Sequence, residues 1–219
     1  MIVVDHHVPT EAPGDLRIVS TGYPATSSIL VDLFDACSIP ISKPMAECLA
    51  TGILTDTGNF RYPNTTATSL HQVARLVELG ADISKVSEQV YMRRTVASSR
   101  LNGYALSQFK LAVRDRLAYV TIPCSEFERV GGNEDDTEGF VSELLGIQGV
   151  EAAFLLRESK PGVIRGSLRS RGDVDVAAAA RKFGGGGHKN AAGVSFEGST
   201  ADAEQSLLAA IETALHGGA

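Results

Sequence analysis

No apolar run in the 219 residues approaches the ~20 needed for a transmembrane helix, and no cationic stretch leads into an apolar one at the N-terminus. The first absence argues against a membrane partner. The second predicts no secretory leader, and so a cytoplasmic location. Cysteine is scarce. Cys37, Cys48 and Cys124 are odd in number and lack C-x-x-C spacing, which predicts buried free thiols in a reducing compartment. Positive charge is in deficit: 20 Lys and Arg stand against 26 Asp and Glu, a net charge of −6. A general binder of long DNA usually carries a basic stripe, so that class is disfavoured. Short anionic substrates held by a few local cations stay open. Tryptophan is absent, which excludes nothing.

What is present is ordinary for a globular protein, with 43% apolar and 21% charged residues. The length allows one or two domains. "IVV" before Asp5 reads as a short buried strand. Helices are predicted over "ATSSILVDLFDAC", over "SKPMAECLATGILTDTG" with Pro44 early, and over "TTATSLHQVARLVELG" with Thr65 or Thr66 as cap. A longer connecting helix follows in "TVASSRLNGYALSQF". The texture then changes to a hairpin in "KLAVRDRLAYVTI", alternating strands in "GVEAAFLLRE" and "GVIRGSLRS", and a final strand and helix. The expected division is 1–92, a linker helix over 93–112, and 113–219.

Four stretches carry chemistry. In "DHH", Asp5, His6 and His7 offer imidazole and carboxylate donors suited to divalent ions. Because neighbouring side chains at a strand end point to opposite faces, the three residues are expected to take different roles. In "GILTDTGNFRY", Asp56 meets a turn at Thr57-Gly58, as a metal ligand or as a cap, and Arg61 and Tyr62 follow where a phosphate or base can be met. In "GVIRGSLRSRG", period two places Arg165, Ser167 and Arg169 on one face, with Arg171 joining if the strand continues. Guanidiniums so arranged suit anion recognition, or form a solvated face. In "FGGGGHKNAAG", four glycines followed by His188 and Lys189 match neither the dinucleotide fingerprint nor a P-loop, and suit close backbone approach to a phosphate or nucleotide.

Taken together, "VVDHH", "GILTDTGNFRY", "EGFVSELLGIQGVEAAFLLRE" and "GSLRSRGDVDVAAAARKFGGGGHKNAAG" resemble the DHH/DHHA1 phosphoesterase superfamily, RecJ-like, in its bacterial oligoribonuclease and pAp phosphatase branch. The resemblance covers nearly the whole chain. It implies an α/β fold in which the C-terminal part of a DHH domain, a parallel sheet with helices, precedes a smaller α/β DHHA1 domain that holds substrate.

By the same resemblance, two divalent ions, commonly Mn2+, activate a water that attacks phosphorus. Carried over by motif, Asp5, His6, His7 and Asp56 are the catalytic set. His6 and Asp56 are metal ligands, Asp5 orients His6, and His7 sits near the phosphoryl group. Arg61, Arg169, Gly185, Gly186, Gly187 and His188 would contact substrate. The family places two further metal motifs before DHH, which this sequence does not contain; the expectation is an N-terminally truncated chain with an incomplete metal site and impaired activity. The implied substrates are short oligoribonucleotides and pAp, and a homo-oligomer is allowed. Alternatives are a non-catalytic nucleotide- or nucleic-acid-binding module, and a cyclic or linear dinucleotide phosphodiesterase or exopolyphosphatase.

Overall fold

The computed structural model describes residues 1–7 and 14–217, which divide into two compact units, Met1–Arg93 and Arg94–Ala219. The first unit is a parallel pair of strands with helices. β1 (Ile2–Asp5) runs parallel to β2 (Leu16–Val19), in register Ile2 to Leu16 and Asp5 to Val19. Then come α1 (Thr26–Ala36), α2 (Lys43–Asp56), α3 (Ala67–Glu78) and the short α4 (Ile83–Ser87), which runs on into a π-helical turn.

Their apolar faces meet in one cluster. Val31, Ala46, Leu49, Ile53, Leu54, Val73 and Leu76 are buried there. Burying each leucine or isoleucine contributes roughly 1.5–3 kcal/mol. The ends follow local chemistry: Pro44 sits in the first turn of α2, and Thr66 with Ser69 forms a capping box on α3. The strand β2 was not expected from sequence; "LRIV" is four residues long and too short for periodicity to speak.

The second unit is built on a six-stranded sheet. Its elements are α5 (Val96–Gln108), β3 (Lys110–Ala112), β4 (Leu117–Ile122), α6 (Cys124–Val130), a 3-10 turn (Glu134–Thr137), α7 (Phe140–Leu145), β5 (Ala152–Lys160), β6 (Val163–Ser170), α8 (Val176–Arg181), β7 (Gly186–His188), β8 (Ala191–Glu197) and α9 (Thr200–His216). Strand order is β3-β4-β5-β6-β8-β7, with only β4 and β5 parallel.

Both faces of the central strands are covered, which explains the unbroken apolar run in β5. Phe154 and Leu156 pack with α8 and α9 in one cluster. Ala153 and Leu155 pack with α5, α6 and α7 in another. The segment expected as a linker, 93–112, contains α5, whose Leu101 and Ala105 are buried in this second cluster. The thiols are free, as expected, but not buried: Cys37 and Cys48 are exposed and Cys124 is half-buried. No helix among the described residues is long and apolar enough to cross a membrane.

One ion pair staples the edge of the sheet core. Arg116 donates to Glu151 through Nε at 2.7 Å and Nη2 at 2.8 Å, and to the Leu215 carbonyl at 3.2 Å. The guanidinium holds the Glu151 carboxyl below its ordinary value of 4.5. A depressed carboxylate pKa stabilises the fold above the unfolded value and stops doing so as pH falls through the folded one. Glu151→Gln is therefore expected to cost up to about 1 kcal/mol at pH 7, the screened value for an exposed pair. That difference should shrink in urea melts as the pH is taken below about 4.5.

Candidate functional site

The first candidate site is where β1 ends. Asp5 is the last strand residue, and its Oδ1 accepts from the His6 N–H at 2.7 Å and the His7 N–H at 3.2 Å. These bonds fold the chain into a tight turn. The His7 ring closes onto the same oxygen, with Nδ1 2.7 Å away. A carboxylate only accepts, so Nδ1 carries the proton and Nε2 of the neutral ring is the lone-pair nitrogen. The His7 hydrogen bonds hold the Asp5 carboxyl below its ordinary value.

The turn also gathers donors: ligand atoms of Asp5, His6 and His7 all lie within 4.8 Å of one another. Strand alternation had separated them, and the turn overrides it. The ring that Asp5 orients is that of His7, whereas the sequence reading expected His6.

His6 looks elsewhere. Its Nε2 lies 3.6 Å from Asp56 Oδ2, at the C-terminus of α2. That separation is long for a hydrogen bond. Two ligand atoms about 2.1 Å from one ion, roughly 90–120° apart, are separated by about 3.0–3.6 Å. The donor set therefore fits a divalent ion shared by His6 and Asp56.

The loop after Asp56 is shaped by backbone conformation. Gly58, Asn59 and Phe60 are all left-handed, with φ of 58°, 57° and 63°. Such runs are costly and are held by their surroundings. The Tyr62 ring covers Gly58, and a Cβ there would lie 2.4 Å from it. Asn64 donates to the Asp56 carbonyl at 3.0 Å, and Arg61 Nε turns back to the Gly58 carbonyl at 2.8 Å.

The second candidate site is a sheet face in the second unit. Paired residues of antiparallel strands share a face. The register therefore aligns Arg157, Arg165 and Ser195 in one row, and Leu155, Ser167, Gly193 and Gly186 in the next. Ala153, Arg169, Ala191 and His188 form the third. Three arginines and two candidate residues of the glycine loop thus lie on one face. Gly184 and Gly185 line the adjoining hollow of about 340 Å³. Arg171 does not join: β6 ends at Ser170, and Arg171 donates to the Leu145 carbonyl at 2.8 Å. Lys189 is paired with Asp173 at 2.7 Å.

Arg157 is the residue that sequence reading missed. It closes the apolar run of β5, so nothing marked it beyond a charge at a strand's end. Its Nη2 donates to Ser167 at 2.6 Å and Nη1 to Thr137 at 3.2 Å, while Nε is buried without a partner. Burial lowers its pKa; Glu134 opposes this, and Arg165 and Arg169 add to it. Clustered guanidiniums suit recognition of an anion.

Known proteins resemble this chain along nearly its whole length. A DHHA1 domain model matches residues 115–217. The bifunctional oligoribonuclease and PAP phosphatase NrnA of Thermus thermophilus is 33% identical over 216 residues, 98% of this chain and 64% of that protein. Its counterpart in Bacillus subtilis is 31% identical over 218 residues, 97% of this chain and 67% of that protein. The chain belongs to the DHH/DHHA1 phosphoesterase family. A crystal structure of an exopolyphosphatase-related protein from Bacteroides fragilis superposes with a TM-score of 0.90 at 32% identity, over 97% of this chain and 63% of that one. This DHH/DHHA1 chain thus spans a little under two thirds of the Thermus and Bacteroides proteins. Its first unit carries the DHH motif, and its second carries the DHHA1 match.

Proposed function

We propose that this DHH/DHHA1 chain carries metal- and phosphate-binding residues of a metal-dependent phosphoesterase acting on short oligoribonucleotides and nucleoside bisphosphates such as pAp. The observation that carries the reading is the 3.6 Å spacing of His6 Nε2 and Asp56 Oδ2 beside a His7 ring locked by Asp5. His6 and Asp56 would hold a divalent ion, Mn2+ by the resemblance. Such an ion supplies Lewis acidity and lowers the pKa of water toward neutrality. Asp5 fixes the turn and the His7 tautomer. His7 then presents Nε2 as a proton acceptor toward the reacting group. Arg157, Arg165 and Arg169 hold a substrate phosphate. These donors are fewer than the roughly six that each of two octahedral ions takes, so full activity requires further ligands.

The test uses a labelled dinucleotide and pAp with millimolar Mn2+. Release of mononucleotide from the first and phosphate from the second, both lost in His6→Ala, is the expected result. Equal release by both proteins rejects the role of the DHH turn. A second reading, a nucleotide-binding module without catalysis, is favoured by the arginine face lying wholly within the second unit. Calorimetry with pAp separates them: binding without turnover supports the module, and neither binding nor turnover rejects both.

A further inference from the structure

The arginine face has an acidic rim. A groove of about 390 Å³ is lined by Arg157, Arg165 and Arg169 on the sheet and by Glu134, Asp135 and Glu138 opposite. Three cations thus face three carboxylates, and the groove is bipolar rather than basic. A pure anion trap would not carry the rim, because each carboxylate opposes the charge the arginines attract.

The rim is fixed in place. Thr137 is buried, donates to the Glu134 carbonyl at 2.7 Å and accepts from Arg157. Glu134 accepts from Ser159, and its Oε2 lies 3.5 Å from Arg165 Nε. Asn133 and Asp136 cap the same turn reciprocally. Asp135 and Glu138 take no part in this anchoring. Both are exposed, and neither side chain makes a hydrogen bond or ion pair with a described residue. Both residues line the groove, and their carboxylates have no structural partner among the described residues to satisfy.

We propose that Asp135 and Glu138 set the substrate class of this face: they admit one phosphate followed by a nucleoside and turn away contiguous phosphates. The inference rests on the proposed seating of a phosphate at the arginines. A sphere of 390 Å³ is about 9 Å across, so a phosphate at the arginines and the group attached to it both fall within reach of the rim. A second phosphate there meets two carboxylates. A ribose or base there offers hydroxyl and N–H donors that carboxylates accept. One like-charge pair at about 7 Å in a water-like medium costs about threefold in affinity, so two pairs cost about tenfold.

The test is titration calorimetry of the whole chain with AMP and with tripolyphosphate, in low salt without divalent ions. Native protein should prefer AMP, and the Asp135→Asn, Glu138→Gln double variant should bind tripolyphosphate about tenfold more tightly while AMP changes less than about twofold. Half-molar salt should shrink the gain, since the Debye length falls to a few ångströms. A native preference for tripolyphosphate, or equal shifts for both ligands, overturns the inference. An Arg169→Ala control reports on the seating separately. Loss of AMP binding in that control with an unmoved ratio in the double variant leaves the arginine face standing and removes the rim's role. Failure of the native chain to bind either ligand removes both.

Discussion

His6→Ala and Asp56→Asn are each expected to lower Mn2+-dependent turnover of a dinucleotide on the order of 10³-fold, and the double variant no further. The reason is the shared geometry at the end of β1. His6 Nε2 and Asp56 Oδ2 come from residues fifty positions apart in sequence, and stand 3.6 Å from one another with no hydrogen bond joining them. Two donors of one ion act as a unit, so removing either removes what both supply. If the pair were merely a surface contact, the losses would be small and additive.

A second readout separates ion binding from folding. Mn2+ affinity, followed by its paramagnetic signal, should fall with each single variant. Melting of metal-free Asp56→Asn should barely move, because the Asp56 side chain is 41% exposed and outside the buried cluster. Full turnover in either variant would remove the pair from the mechanism.

The other large effect is expected from the glycine loop, where adjacent positions should behave in opposite ways. A Cβ on Gly185 would lie 2.3 Å from the Gly193 carbonyl oxygen and 2.9 Å from Val194 Cβ. Those neighbours are held in β8, so Gly185→Ala must push the loop off the strand. The pairing of Gly186 with Gly193 and of His188 with Ala191 would break with it. The expected cost is about 1–3 kcal/mol, the range for overpacking a tight contact. The amides of β7 should then lose their hydrogen-exchange protection.

Gly186 is different. A Cβ there meets nothing within 4 Å, yet the residue shares the Ser167 row of the arginine face. Gly186→Ala should therefore melt normally and still weaken AMP binding by about tenfold if a nucleotide lies against that row. Unchanged binding in a folded Gly186→Ala protein would place the nucleotide elsewhere.

Much of the site was legible because its signals are local. Period two put Arg165, Ser167 and Arg169 on one face, and the strand β6 holds them there. The glycine loop was read as backbone built for close approach to a phosphate or nucleotide; the approach the fold shows is that of Gly185 to Gly193 in its own β8. The same local reading failed where neighbours along the chain mislead. It left Arg171 open, to join the arginine face if the strand continued, and the strand ends one residue sooner. It took the glycines for a loop throughout, whereas Gly186 to His188 pair with β8 as a short strand. It placed Asp5 behind His6, but the tight turn at the strand end gives Asp5 the His7 ring.

The amino-acid sequence by itself determined the lineage, the apolar runs that become helices and central strands, and the residue types able to hold a metal or a phosphate. These rest on caps, on periods of 2 and 3.6, and on motifs a few residues long, all set by steric and hydrogen-bonding rules within one turn or strand. The tertiary structure decided which groups meet. It brought Asp56 to His6, set Arg157 in a row with Arg165 across two antiparallel strands, and laid residues 134–138 along the same face. These meetings join positions from eight to fifty residues apart. No local rule encodes them, because they follow from how buried faces pack and which register that packing enforces.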